Sequence, residues 1–100
     1  MERVLVDGFR YLVLLDRIPP DLDLYVLCMI LKRVGFLPDF IQAEVWARGQ
    51  PIAYFYFRLH GGGFYVGPSR RRVDGRWRVF GKRYFVRRGY ITDGRTKCII

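Results

Sequence analysis

Three Asp-Gly dipeptides, Asp7-Gly8, Asp74-Gly75 and Asp93-Gly94, punctuate this chain. Both central residues of a type I′ turn need positive φ, which Asp and Gly tolerate, so each dipeptide predicts a tight hairpin where strand-forming residues flank it. Two further breaks, Arg48-Gly49-Gln50-Pro51 and Gly81-Lys82, lie among them. A chain cut this way builds short strands that pair with their sequence neighbours. The expected sheet is a largely antiparallel, curved meander of hairpins.

Residues Glu2 to Leu15 give RVLV and FRYLVLL on either side of Asp7-Gly8 and are expected as a strand pair, although Val4, Leu5, Gly8, Phe9, Leu12 and Leu15 also fit a helical stripe. Pro19-Pro20 then stops the chain. Asp21 and Asp23 stand where a helix N-terminus favours negative charge, Lys32 and Arg33 fall in the last turn, and Gly35 follows. A helix over Leu22 to Val34 follows from these signals. The run from Leu24 to Leu31 is so apolar that this helix is expected to be covered on more than one side. Phe40 to Leu59 reads as a second hairpin, with Pro51 at a strand start where its missing N–H is tolerated. The fold class is therefore α+β, with one buried apolar helix packed on a largely antiparallel, curved β-sheet of hairpins, in a single domain spanning residues 1–100. The order YLVLLD, helix, FIQAEVWARG has the outline of half a ferredoxin-like domain, but nothing downstream supplies its second helix.

Charge is divided unevenly. Residues 1–57 carry six basic and seven acidic side chains, whereas residues 58–100 carry twelve basic and two acidic. Ten of those twelve fall between Arg58 and Arg88, interleaved with aromatics and glycines and interrupted by Asp74 alone. Arginine supplies fifteen of the eighteen cations, and its planar fork grips phosphate and stacks on bases as lysine cannot. So one-sided a charge points to an anionic partner. The absence of asparagine suggests a thermophilic source.

With Gly81-Lys82 as a two-residue hairpin loop, Phe80 would face Arg83, Val79 Tyr84, Arg78 Phe85, Trp77 Val86 and Arg76 Arg87. Directly opposed residues share a sheet face. Trp77, Val79, Tyr84 and Val86 would then be core, and Arg76, Arg78, Phe80, Arg83, Phe85 and Arg87 would form a contact face. A three-residue loop Val73-Asp74-Gly75 would add Arg70 and Arg72, whereas a two-residue loop at Asp74-Gly75 would turn Arg71 to that face and set Arg70 and Arg72 beside Trp77; the longer keeps more charge off the core. Lys82, at the loop, completes the expected nucleic-acid-binding set.

His60-Gly61-Gly62-Gly63 matches the HGGG oxyanion-hole segment of α/β-hydrolase esterases, but that chemistry needs a G-x-S-x-G elbow, and the sole serine, Ser69, lies in GPSRR. The glycines are expected to form a turn. Grouped carboxylates and multiple histidines are lacking, so no catalytic residue, metal site or cofactor is expected. Cys28, Cys98 and one histidine cannot complete a four-ligand zinc site. The cysteines are either two buried small residues or, in a hyperthermophile, a disulfide tying the C-terminal tail to the helix. No secretory signal is evident and the longest apolar run is far short of a membrane span, so a cytoplasmic protein without membrane association is expected.

The expected function is non-enzymatic nucleic-acid binding, RNA preferred to DNA, as a homodimer or within a larger ribonucleoprotein such as the ribosome. The alternative is a structural or interaction protein, virus-encoded or an accessory subunit, whose basic face docks an acidic protein.

Overall fold

The computed structural model describes the backbone of residues 1–73 and 75–100, and the side chains of residues 1–67, 75 and 82–100. Eight strands form one sheet in which every neighbour in space is a neighbour in sequence: β1 (Arg3–Asp7), β2 (Arg10–Leu15), β3 (Phe40–Ala47), β4 (Gln50–His60), β5 (Gly63–Val73), β6 (Arg76–Arg87), β7 (Tyr90–Thr92) and β8 (Lys97–Ile99). A single helix, α1 (Leu22–Val34), connects β2 to β3. Because α1 carries the chain back along the sheet, β2 and β3 pair in parallel, and the remaining neighbours pair antiparallel. The sheet curls into a half-barrel.

Local signals place most of these elements where the sequence predicts them. Arg48-Gly49 joins β3 to β4 with both residues at positive φ, Asp93-Gly94 lies between β7 and β8, and β1 turns into β2 through Gly8-Phe9, one residue later than an Asp7-Gly8 turn, because Asp7 still pairs with Arg10. The helix has its predicted bounds and ends on Gly35 in the left-handed conformation, whose N–H donates to the carbonyl of Leu31 at 3.0 Å. Leu22, Leu24, Val26, Leu27, Cys28, Ile30 and Leu31 are buried along it, while Tyr25, Lys32 and Arg33 are exposed. The buried positions extend beyond a single narrow stripe, and Tyr25, Lys32 and Arg33 mark the flank open to solvent.

Curvature has a sequence cause in β5. Its register shifts against both β4 and β6 across Gly67-Pro68, where proline offers no N–H to a ladder. This also corrects the expected turn at Gly81-Lys82. That dipeptide lies inside the continuous strand β6, with Gly81 across from the β5 irregularity, so Phe80 does not pair with Arg83. β5 turns back into β6 between Val73 and Arg76, which pair directly, and not by the expected three-residue loop Val73-Asp74-Gly75. Arg72 consequently stands opposite Trp77 in register, as in the shorter of the two loops considered.

The concave side holds the core, with Val13, Ile41, Val45, Phe55, Phe57, Phe64, Tyr84 and Ile91 almost fully buried beneath α1. The helix contacts β1 and β2 near one sheet edge and β8 at the other. Cys28 of α1 and Cys98 of β8 form a disulfide with Cα atoms 6.1 Å apart and a sequence separation of 70. On a chain-entropy basis a loop that long contributes about 4 kcal/mol. Urea unfolding with and without reductant tests it: reduction is expected to lower stability by about that amount, and coincident curves would contradict it.

Candidate nucleic-acid interface

Strand alternation sends one set of residues into the core and the other onto the convex face. On β3 and β4 the buried set is Ile41, Ala43, Val45, Ala53, Phe55 and Phe57, which leaves Phe40, Tyr56, Arg58 and His60 outward and exposed. On β5 and β6 the same division buries Phe64, Val66 and Tyr84, leaving Tyr65, Arg83 and Arg87 exposed and Phe85 half-buried.

Register turns these separate positions into a row. Phe40 pairs with Arg58, Arg58 with Tyr65, and Tyr65 with Arg83. Aromatic and guanidinium groups thus alternate across four strands, over about 14 Å at the usual strand spacing. The Arg83 guanidinium lies 5.1 Å from the Tyr65 ring centre and 4.7 Å from that of Phe85, and Arg87 lies 5.2 Å from Phe85 on the neighbouring position. Phe40 and Tyr56 have ring centres 6.2 Å apart, as do His60 and Tyr65.

Glycine makes room for this arrangement. Gly61 and Gly62 form the β4–β5 turn, both at positive φ, and the Gly61 carbonyl accepts a hydrogen bond from Arg83 Nη2 at 3.1 Å. Gly63 pairs with Phe85, and a Cβ there would come within 2.6 Å of the Tyr84 carbonyl oxygen. The HGGG segment is thus the turn expected of it, and it also steadies Arg83.

Among the described residues, no ion pair engages Arg58, Arg83 or Arg87. Glu44, the acid on the outward side of β3, accepts from Trp46 Nε1 at 2.7 Å and from the Tyr54 hydroxyl at 3.4 Å. The row therefore keeps its positive charge. Of the predicted contact residues, Arg83, Phe85 and Arg87 come together here. Arg70, Arg72, Arg76, Arg78 and Phe80 lie outside the described side chains. Phe40, Tyr56, Arg58, His60 and Tyr65 were not anticipated, although the alternation of Tyr54, Tyr56, Arg58 and His60 along IAYFYFRLH carried the signal.

Lys82 is placed apart from this row. Its ammonium lies 3.5 Å from Asp93 and 3.9 Å from Asp23, and 5.2 Å from the centre of the Tyr84 ring. It joins β6 to the first turn of α1 and to the β7–β8 turn. Tyr25 donates to Glu2 near the start of β1, and that bond, followed by burial, raises the phenol's pKa.

Comparison with protein-family models, curated proteins and solved structures gave no match. Among the described residues, no cluster of three or more His, Cys, Asp or Glu could hold a metal ion, and no helix is long and apolar enough to cross a membrane.

Asp93 organises the last turn, accepting from the backbone N–H of Thr96 at 2.8 Å and of Arg95 at 2.9 Å. The Thr96 bond is the main reason its carboxyl falls from 3.8 to about 2; the Arg95 bond and the Lys82 charge add to it, and burial opposes. A depressed carboxyl stabilises the fold fully above its unfolded value and ceases to do so as pH falls toward its folded value. Asp93→Asn should therefore cost up to about 2 kcal/mol at neutral pH, with the gap from the native chain closing between about pH 4 and pH 2. Urea unfolding across that range measures it, and a gap that persists at the acid end would contradict it.

Proposed function

We propose that this chain is a non-enzymatic nucleic-acid-binding protein that takes single-stranded RNA in preference to DNA, on the convex face of its sheet. The observation that carries this is the cross-strand row Phe40, Arg58, Tyr65, Arg83, with Phe85 and Arg87 beside it. Exposed rings offer stacking platforms to unpaired bases, and guanidinium groups between them can fork to the phosphates linking those bases. A duplex hides the faces of its bases, so this surface favours splayed strands. The surplus of twelve basic over two acidic residues in the second half supplies the wider attraction. A cytoplasmic ribonucleoprotein is the setting that fits these properties.

Fluorescence anisotropy with single-stranded RNA, duplex DNA and an acidic peptide, each at several salt concentrations, tests the proposal. Single-stranded RNA should bind tightest. Tyr65→Ala should lose about 1–3 kcal/mol of affinity. Arg58→Gln should reduce the salt dependence by about 0.7 in log K against log salt. Both variants should fold, because both positions are exposed. Preference for the acidic peptide, or only weak binding to both nucleic acids at low salt, would refute it.

A further inference from the structure

β1 is a sheet edge with a neighbour on one side only. The opposite edge, β8, has three residues and is anchored to α1 by the disulfide. β1 is longer, at five residues, and lacks the usual protections against pairing: no proline, no register shift against β2, and no charge at its centre. Among the described residues, the backbone of Arg3–Asp7 hydrogen-bonds with β2 and no other segment. Leu5 and Val6 are 44% and 51% exposed.

The strand reads Arg-Val-Leu-Val-Asp, with opposite charges equidistant from a central leucine. We infer that β1 is a self-association edge, to which a second copy of this chain adds its own β1 antiparallel, about a two-fold axis at Leu5. In that register Arg3 stands opposite Asp7 of the partner subunit, Val4 opposite Val6 of the partner subunit, and Leu5 opposite its own copy. The charged and apolar pairs are each formed twice. Every other overlapping register sets Arg3 or Asp7 against an apolar residue or against its own copy, so charge selects this one. Asp7 already pairs with Arg10 of β2. Dimerisation would place a second arginine on its free side, giving an Arg-Asp-Arg ladder at each end of the junction. The contact is isologous and closes at two subunits, consuming the exposed edge. Main-chain hydrogen bonds of the strand-addition kind would hold it.

Sedimentation equilibrium of the full chain over a wide concentration range tests this without nucleic acid, so its outcome is separate from that of the RNA proposal. The native chain should double in mass as concentration rises. Arg3→Asp and Asp7→Arg each set like charges opposite one another and should be monomeric, and an equimolar mixture of the two should regain the dimer, because each supplies the charges the other lacks. Near-UV circular dichroism confirms that both variants fold before mixing. A native chain that stays monomeric, open polymers formed by β1 meeting β8 of another copy, or a dimer that survives Arg3→Asp would overturn the inference.

Discussion

The structure depends on how one helix fills the concave side of a curved sheet that does not close on itself. Eight consecutive strands leave an open half-barrel whose inner face would meet water if nothing covered it. The apolar residues of α1 occupy that space, and the helix reaches both edges of the sheet, β1 and β2 on one side and β8 on the other. Covalent and ionic ties reinforce the closure. Cys28 joins Cys98, while Asp23 at the start of the helix meets Lys82, which also meets Asp93. Burial supplies the bulk of the stabilisation, since partly exposed ion pairs contribute modestly.

One helix can cover one face. With α1 committed to the concave side, no element among the described residues covers the convex face, and its composition departs from an ordinary solvated surface. Tyr56 and Tyr65 are exposed beside Arg58, Arg83 and Arg87, with no acidic partner paired to these arginines among the described residues. Contacts between guanidinium groups and rings, each worth about 0.5–1 kcal/mol at exposed sites, hold the side chains in place. Rings and charges ordered in this way would lower the entropy lost by the side chains on binding the proposed strand.

Much of the architecture was legible because its signals are local. Asp7-Gly8, Arg48-Gly49 and Asp93-Gly94 report turns, and Pro20, Asp23, Lys32, Arg33 and Gly35 report the helix and its ends. The parallel pairing of β2 with β3 was not read, since it depends on where α1 delivers the chain. Gly81-Lys82 misled for a physical reason: a glycine inside a strand can mark an irregularity of the partner as well as a turn, and the partner here is disturbed at Gly67-Pro68. The row from Phe40 to Arg83 was hidden for the same reason. Finding it requires the register of four strands, and one misplaced irregularity moves every side chain to the opposite face.

The central claim is that the convex row engages bases and phosphates while the concave side only builds the fold. Nuclear magnetic resonance titration of the labelled chain with a short single-stranded RNA tests this most directly. The account predicts that the ring signals of Phe40, Tyr65 and Phe85 and the Nε signals of Arg58 and Arg83 move together and saturate, while those of Asp23, Lys82 and Asp93 stay in place. Shifts confined to the α1 and β8 side, or no saturable shift on the convex face, would contradict it.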